Sequence, residues 1–220
     1  MQKSQIKEKL KSAIQIYKKT KDPRASEVIE HLTKILSTSK SRDSLLDYAK
    51  HVYPGYKDPA HIKLIAKNLE LLEKGEINRL AVFMPPRHGK SMLCSEFFPA
   101  WYLGNNPNEF VIQSTYAQEL ADDFGRKVRN QIASPDFNSV FPQVGLRADS
   151  SSAKRFHTMQ GGTYSAVGAG GAITGRGAHL LIIDDPIKGR EDAESETQRR
   201  NLVEWYKSVA YTRLQPGGKI

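Results

Sequence analysis

The sequence predicts an α/β fold in which a mainly parallel central sheet is flanked by helices and preceded by an α-helical segment. Two patterns predict this fold. Apolar residues recur at 3.6-residue spacing through the first 75 residues. From Leu80 onward, short apolar runs alternate with helical patterns, which is typical of parallel strands joined by helical crossovers. Because 39 % of the 220 residues are hydrophobic, the chain has enough apolar side chains for a packed core.

We expect the chain to divide into a basic helical segment, residues 1–55, and a larger domain, residues 56–220. Helical spacing predicts a break at Asp22-Pro23 after the first helix and a Ser/Thr-rich linker at residues 37–41 after the second. The last helix before the first strand ends near Gly75. The predicted helices of this region cover residues 6–17, 25–35, 45–52 and 62–72.

Three short apolar runs predict buried strands, at residues 80–84, 110–114 and 180–183. A helical pattern follows each run, to about residue 103 and then over residues 117–132 and 193–213. Residues 150–178 predict short, mostly antiparallel strands around a Gly-rich stretch. The final residues, 215–220, predict a turn and the start of another strand, so we expect the chain to be a fragment of a longer protein.

The net charge of +9 is concentrated near the N-terminus, where residues 1–60 carry 13 Lys/Arg against 7 Asp/Glu. This excess fits a polyanionic partner, because each neutralised phosphate releases counterions, and it fits equally a solvated, lysine-rich helix face. No apolar run approaches the ~18 residues of a membrane span. The single cysteine, Cys94, excludes an internal disulfide or a cysteine-based zinc site, so we expect a reducing, intracellular compartment.

A phosphate-binding loop is predicted between the first strand and the helix that follows it. Residues 84–92, MPPRHGKSM, match the end of the pattern G-x-x-x-x-G-K-[ST], with Met84 in place of its first glycine. Lys90 would reach the β- and γ-phosphates of ATP, and the Ser91 hydroxyl would bind Mg²⁺. Backbone N–H groups at the helix N-terminus attract phosphate oxygens. The predicted nucleotide contacts are Pro85, Pro86, Arg87, His88, Gly89, Lys90, Ser91 and Met92.

Two aspartates, Asp184 and Asp185, follow the third apolar run. Ligands of parallel α/β sheets bind at the carboxyl ends of the strands, so a carboxylate here would lie beside the magnesium ion. Asp184 is the predicted metal ligand, and Asp185 is the residue predicted to polarise the attacking water. Taken alone, such a pair also fits a turn or a helix-capping device.

Two stretches, RLAVFMPPRHGKS at residues 79–91 and ITGRGAHLLIIDDP at residues 173–186, resemble the ATPase domain of the large terminase subunit, the DNA-packaging motor of tailed bacteriophages. The first is similar to that family's phosphate loop, which carries an arginine in its interior. The second is similar to the stretch that leads into the family's acidic motif. The resemblance covers residues from about 55 to 220, and it implies a P-loop NTPase fold of the additional-strand catalytic glutamate type.

The resemblance implies an enzyme that hydrolyses ATP with Mg²⁺ and translocates double-stranded DNA into a procapsid. It further implies the portal protein and the small terminase subunit as partners, a homo-oligomeric ring, and a location in the host cytoplasm away from membranes. The family's coupling motif and nuclease domain would lie beyond Ile220. We therefore expect no nuclease activity from this chain, which we expect to be mainly monomeric and a weak ATPase.

The identity of the catalytic base is open. The family's acidic motif commonly ends in Asp-Glu, whereas this chain has two aspartates, and aspartate is one methylene shorter. The alternative bases on the following segment are Glu191, Glu194 and Glu196.

Arginines are candidates for stabilising the charge that develops in phosphoryl transfer. Arg87, inside the loop, would sense the γ-phosphate of its own subunit. The resemblance implies that Arg176 reaches the nucleotide of a neighbouring subunit, and Arg126 and Arg129 are the alternatives.

The adenine contact is predicted before the first strand. Tyr56 and His61 lie where the family has an aromatic or polar adenine contact, and either could stack on the base. An aromatic side chain at the start of a helix fits equally a packing role.

Two other functions fit the same residues. One is a different nucleic-acid-dependent P-loop ATPase, of helicase or repair type. The other is a basic DNA-binding scaffold with a vestigial nucleotide site, against which the presence of Lys90, Ser91 and Asp184 argues. ATP hydrolysis stimulated by DNA would distinguish the scaffold from the enzymes.

Overall fold

The computed structural model describes residues 3–171, 173 and 175–220 of the chain. Thr174, part of the second stretch that resembles large terminases, lies outside the described residues. Within the described residues the fold is mixed α/β, with a six-stranded sheet flanked by helices. None of the helices in this part of the chain has the length and hydropathy that crossing a membrane requires.

The N-terminal region is helical, as predicted, but its second helix is longer than expected. The predicted linker at residues 37–41 is wrong, because the hydroxyl groups of Ser37 and Thr38 donate to the carbonyl of Lys34 and the helix continues. Ser44 separates the second and third helices instead, and its hydroxyl caps the third. The helices are α1 Lys3–Thr20, α2 Pro23–Asp43, α3 Leu45–Val52 and α4 Ala60–Glu73.

The strands pair in the order β2-β3-β4-β1-β5-β6. β1 lies between β4 and β5 and is parallel to both, β6 is parallel to β5, and β3 is antiparallel to β2 and to β4. The carboxyl ends of β1, β4, β5 and β6 therefore lie at one edge of the sheet. The strands are β1 Phe110–Thr115, β2 Leu146–Ser151, β3 Arg155–Thr158, β4 Thr163–Gly168, β5 Ala178–Ile183 and β6 Leu214–Lys219.

Residues 80–84 do not form the predicted buried strand. Leu80 N–H donates to the Ile220 carbonyl at 2.8 Å, and Ile220 N–H donates to the Asn78 carbonyl at 3.0 Å. Only the beginning of the segment therefore lies beside the end of β6, and Phe83 is 92 % exposed. A strand requires a continued ladder of hydrogen bonds, which the apolar composition of this segment does not reveal.

The sequence predicted a turn and then the start of a strand over residues 215–220, whereas the strand β6 already begins at Leu214. Leu214 lies opposite Ala178 and Lys219 opposite Leu180, with an irregularity between these two pairs. Gly217, at φ 75°, lies in this irregularity and adopts a conformation that favours glycine. The Pro-Gly-Gly sequence thus marks a bulged edge strand, not a turn.

The predicted helices of the larger domain are present. The helix after the loop begins at Lys90, is π-helical over Met92–Phe97 and continues as α5 Phe98–Asn105. The last predicted helix begins earlier than expected, is interrupted at Ser195 and ends in short π- and 3₁₀-helical turns at Arg213. The remaining helices are α6 Gln118–Ile132, α7 Pro135–Val140, α8 Arg190–Glu194 and α9 Glu196–Trp205.

Apolar side chains pack on both faces of the sheet. The core on the first face joins the sheet to helices α3 to α7, and it includes the fully buried Leu45 and Tyr48 of α3. A smaller core on the second face contains Ile112, Leu181 and Trp205. α1 packs mainly against α2. Both cores include residues of β1 and β5, and these strands end at the candidate site.

Candidate active site

The loop that precedes the helix beginning at Lys90 has an unusual backbone. Arg87 has a φ of 63° and Gly89 a φ of 84°, both in the left-handed region that most residues avoid. A Cβ at Gly89 would also lie 3.2 Å from Ile62 Cδ1. The helix then begins at Lys90, where its first N–H groups have no partners within the helix. The loop thus leads into a helix N-terminus that is suited to hold an anion.

Asp184 lies directly after β5 and is held on three sides. Its N–H donates to the Ser114 carbonyl at 2.9 Å. The parallel pairing of β5 with β1 therefore extends to the backbone of Asp184. Its Oδ1 lies 3.2 Å from Lys90 Nζ, and its Oδ2 accepts a 2.8 Å hydrogen bond from Ser95 Oγ. The Asp184 side chain is only 6 % exposed. A carboxylate this buried requires such partners, because desolvation is costly for a charge without them.

Asp185 is much more open than its neighbour. Its side chain is 65 % exposed and accepts a hydrogen bond from Lys90 Nζ. Its φ of 42° is again left-handed, and its carbonyl accepts from Tyr116 N–H at 3.3 Å. Strained backbone of this kind often accompanies functional positions. The structure therefore brings Lys90, Asp184 and Asp185 together, as the sequence predicts.

The ammonium group of Lys90 responds to opposing influences. Burial of the side chain lowers the pKa of Lys90, but the hydrogen bond to Asp185 and the charge and hydrogen bond of Asp184 outweigh burial and raise this pKa above its ordinary value. Lys90 therefore remains a cation that neutralises both carboxylates. Phosphate oxygens would compete with these carboxylates for the same ammonium group.

Sequence reasoning missed two residues that position Asp184. Ser95, fully buried, donates to Asp184, and the buried Gln113 of β1 donates through Nε2 to the Ser95 carbonyl at 3.1 Å. Gln113 Oε1 is buried without a partner among the described residues. Ser95 lies in the π-helical segment, a conformation that is frequent at functional sites. No motif in the sequence singles out Ser95, because its role depends on contact with a residue 89 positions away.

The oxygen groups of this site fit Mg²⁺. No cluster of three His, Cys, Asp or Glu side chains suited to a metal exists in the described part of the chain. Magnesium at nucleotide sites, however, is held by one or two carboxylates together with substrate phosphates and waters. Asp184 supplies a carboxylate, and the half-buried Ser91 supplies a hydroxyl in the first turn of the helix. The structure shows no direct contact between these two side chains.

A cleft of about 380 Å³ lies beside the loop. It brings Tyr56 and His61 together with the loop residues Arg87, His88, Gly89 and Met92, and it also includes Tyr53. His61 Nε2 donates to the His88 carbonyl at 3.3 Å, and His88 Nδ1 donates to the Pro86 carbonyl at 2.9 Å. The side of the cleft formed by His61 is therefore hydrogen-bonded to the loop.

The two tyrosines of the cleft differ in how accessible their rings are for stacking on a base. The Tyr56 ring packs edge-on against Phe97 at 5.1 Å, and its hydroxyl is buried without a partner among the described residues. Burial, with smaller contributions from Cys94 and Asp58, raises the pKa of Tyr56 to about 12. Tyr53 is 49 % exposed. Tyr56 thus serves packing at least in part, and Tyr53 is an adenine-stacking candidate that the sequence did not single out.

The candidate arginines lie in different places. Arg87 is exposed and lines the cleft. Arg176 precedes β5, whose opposite end leads to Asp184, so roughly 20 Å of strand separates Arg176 from the site of its own chain. Arg126 pairs with Asp123 at 2.6 Å, and Arg129 bonds to Asn130.

The other predicted residues do not contact the lysine–aspartate cluster. Glu194 pairs with Arg190 instead. The described contacts join neither Glu191 nor Glu196 to Lys90 or Asp184. Pro85 and Pro86 are exposed on the approach to the loop.

Comparison with known proteins assigns the chain to a family. The family model described as "Terminase large subunit, T4likevirus-type, N-terminal" matches residues 82–217, which include the loop, Ser95 and both aspartates. No curated protein matches the chain significantly. The match covers more than half of the chain. The protein therefore belongs to the family of T4likevirus-type large terminase subunits, and it corresponds to their N-terminal region.

Proposed function

We propose that this chain is the ATPase motor domain of a viral large terminase, which hydrolyses ATP to translocate double-stranded DNA into a procapsid. Membership of the family supports a role in DNA packaging, and its members are generally ATPases. The observation that carries the proposal is the cluster of Lys90, Asp184 and Asp185 at the carboxyl edge of the sheet.

The proposed fold type is a P-loop NTPase of the additional-strand catalytic glutamate type. The parallel strands β4, β1, β5 and β6 support it, as does the succession of loop and helix from Pro85 to Ser91. Ligands of such sheets bind at the carboxyl ends of the strands. The left-handed residues Arg87 and Gly89 support a loop whose backbone curves around an anion.

Nucleotide binding would reorganise the ion pairs of the site. The N-terminus of the helix attracts the phosphates of ATP, and Lys90 exchanges its carboxylate partners for the β- and γ-oxygens. Ser91 and Asp184 would hold Mg²⁺, which would neutralise charge on the phosphates. Tyr53, Tyr56 or His61 would contact the adenine in the adjacent cleft.

Hydrolysis would depend on the exposed carboxylate of Asp185. Once Lys90 pairs with phosphate, the exposed Asp185 carboxylate can accept a hydrogen bond from a water molecule and orient it toward the γ-phosphorus. The water oxygen forms the new bond to phosphorus, the bond to the β–γ bridging oxygen breaks, and ADP and phosphate leave. The water's proton passes to the carboxylate or to phosphate. Arg87, on the cleft side, would stabilise the developing charge.

The proposed assembly is a ring on double-stranded DNA, with the portal protein and the small terminase subunit as partners in the host cytoplasm. Arg176 lies far from the site of its own chain, which supports a role for it in contact with another molecule. The excess of lysine in residues 1–60 supports contact with a polyanion.

Steady-state ATP hydrolysis with and without duplex DNA tests this proposal. We expect Lys90→Ala to lower turnover at least about a hundredfold, because lost transition-state contacts of this kind cost ~3–4 kcal/mol. Lys127→Ala is the matched control, since Lys127 of α6 pairs with Glu96 of the helix that carries Lys90, and not with the aspartates. Hydrolysis by Lys90→Ala within threefold of the wild type would leave the DNA-binding scaffold as the better interpretation.

A further inference from the structure

Two histidines from separate elements meet in the cleft beside the phosphate loop. His88 belongs to the loop itself, and His61 is the second residue of α4. Their ring centroids lie 5.9 Å apart, with 65° between the ring planes. Because His88 is exposed and His61 is half-buried, both rings can exchange protons with solvent. The loop is therefore adjoined by two groups of the kind that changes charge near neutral pH.

The hydrogen bonds of this pair determine which nitrogen of each neutral ring carries the hydrogen. His61 Nε2 lies 3.3 Å from the His88 carbonyl oxygen, and His88 Nδ1 lies 2.9 Å from the Pro86 carbonyl oxygen. A carbonyl oxygen only accepts, so each of these two nitrogens donates. The other nitrogens, Nδ1 of His61 and Nε2 of His88, have no hydrogen bond among the described residues. Each ring can therefore accept a proton without losing the contact that holds it.

The side chains that line the cleft oppose a positive charge on either ring. Lys57 and Arg87 line it, and no acidic side chain does so in the part of the chain that the structure describes. Two tyrosines also line it, and burial raises the pKa of one of them, Tyr56, to about 12, so that this phenol stays neutral. A like charge disfavours protonation of a histidine, and each ring would also face the charge of the other.

The carboxylates of the adjoining segments are already paired with lysines. Asp58, three residues before His61, lies 2.8 Å from Lys50 Nζ and 3.7 Å from Lys63 Nζ. At the start of the helix after the loop, Lys90 pairs with both aspartates of the site. A polyphosphate at the loop would bring several negative charges to these surroundings, and an opposite charge favours the protonated form of a histidine. Nucleotide binding therefore reverses the electrostatic preference of the two rings.

We propose that His61 and His88 act as a proton-accepting pair, so that binding of a nucleotide polyphosphate at the loop is coupled to uptake of a proton. This coupling rests on the proposed nucleotide site and adds a dependence on pH to it. Because the bound form holds more protons than the free form, nucleotide affinity rises as the pH falls from 8 to 6. The two histidines are positioning residues, whose charge stabilises the bound phosphates without taking part in bond making or breaking.

Calorimetry of ATP binding at pH 7, in EDTA to prevent hydrolysis, counts the protons. The heat measured in buffers of different ionisation enthalpy gives the number taken up per ATP. His61→Gln and His88→Asn suit this test, because each amide retains a donor near the position of the donating ring nitrogen and cannot be protonated. We expect the wild-type protein to take up about 0.4 proton more per ATP than the double variant. His31→Gln, at an exposed position of α2, is the control and should match the wild type.

The pH dependence of affinity provides a second readout. Protonation of ATP itself contributes equally to both proteins, so it cancels in the ratio of wild-type to double-variant affinity. We expect this ratio to fall about fivefold between pH 6 and pH 8. A ratio that does not change with pH, or equal proton uptake by the two proteins in calorimetry, would overturn the proposal.

NMR of the wild-type protein decides the question if circular dichroism shows that a variant does not fold. We expect the imidazole signals of His61 and His88 to reach their protonated positions at a higher pH with ATP than without it. Signals that change at the same pH in both samples would overturn the proposal.

Failure of this coupling is distinguishable from failure of the proposed function. If the wild-type protein does not bind ATP, or if Lys90→Ala leaves ATP affinity unchanged, the nucleotide site itself is wrong and the coupling fails with it. If ATP binding depends on Lys90 while the wild type and the double variant take up equal numbers of protons, only the role of the histidines is wrong.

Discussion

Ser95 Oγ donates a 2.8 Å hydrogen bond to Asp184 Oδ2, while Lys90 Nζ lies 3.2 Å from the other oxygen of the same carboxylate. The two contacts fix the orientation of Asp184 from opposite sides. Gln113 in turn holds the backbone of Ser95 from β1. The carboxylate proposed to hold Mg²⁺ is therefore oriented by the helix that follows the loop, so that loop, helix and strand form one unit.

Replacing Ser95 tests this arrangement. We expect Ser95→Ala to weaken Mg²⁺-dependent nucleotide binding about tenfold, because groups that orient a metal ligand typically contribute ten- to a hundredfold in affinity. Magnesium-independent binding should change little. Ser139→Ala, which removes a hydroxyl bonded to His51 far from the site, is the control. Equal affinity of Ser95→Ala and wild-type protein for Mg²⁺–ATP would show that Asp184 does not depend on this hydrogen bond.

The two aspartates should respond differently to substitution. We expect Asp184→Ala to weaken Mg²⁺–ATP binding, because it removes the proposed metal ligand. Asp185→Asn should retain binding within about threefold and lower turnover at least a hundredfold, because orientation of water matters mainly in the transition state. Nucleotide titration and single-turnover hydrolysis on the same samples separate these effects. Normal hydrolysis by Asp185→Asn would move the base to Glu191, Glu194 or Glu196.

The loop glycine allows a test of backbone conformation. Gly89→Ala places a side chain at φ 84° and 3.2 Å from Ile62 Cδ1, and we expect a loss of about 1 kcal/mol in the free energy of unfolding together with weaker ATP binding. Gly189→Ala is the control, because Gly189 has φ −170° and open space around its Cα. Urea unfolding measures both variants. A Gly89→Ala protein as stable as Gly189→Ala would contradict the left-handed loop.

The pKa of His157 reports on the charges of Arg155 and Arg147. Burial, followed by the charges of Arg155 and Arg147, lowers the pKa of His157 below its ordinary value of 6.5, and Asp149 opposes them. Since the unfolded chain then binds the proton more tightly than the folded chain, this group's contribution to stability is lost as the pH falls below 6.5.

Titration of His157 by NMR checks this assignment. We expect Arg155→Gln to raise the pKa of His157 toward 6.5, while Arg200→Gln, at an exposed position on α9, leaves this pKa unchanged. A His157 pKa at or above 6.5 in the wild-type protein would contradict the described surroundings of this side chain.

The sequence predicted the helices and the inner strands well because local patterns determine them. The strands β1 and β5 contain the apolar runs of residues 110–112 and 180–183, and apolar residues repeat at 3.6-residue spacing in the helices. Residues 80–84 are also apolar, but among the described residues the pairing of this segment is confined to its beginning, where Leu80 N–H donates to the Ile220 carbonyl. Pairing of this kind is a property of the tertiary structure. The start of the strand β6 was predicted too late for the converse reason, since its Pro-Gly-Gly sequence is locally a turn signal.

The candidate site was predictable where a motif carried it and not elsewhere. Lys90, Asp184 and Asp185 are brought together as their motifs implied. Ser95 and Gln113 could not be found, because a serine and a glutamine acquire their roles only through contact across a helix and a strand.

A structure of the protein with Mg²⁺ and a non-hydrolysable ATP analogue tests the central claim most directly. The account predicts that Lys90 Nζ leaves the carboxylates for the β- and γ-phosphate oxygens, with Mg²⁺ held at Ser91 and Asp184 and the adenine beside Tyr53, Tyr56 or His61. An analogue bound elsewhere, or one bound at the loop with Lys90 still paired to both aspartates, would contradict it.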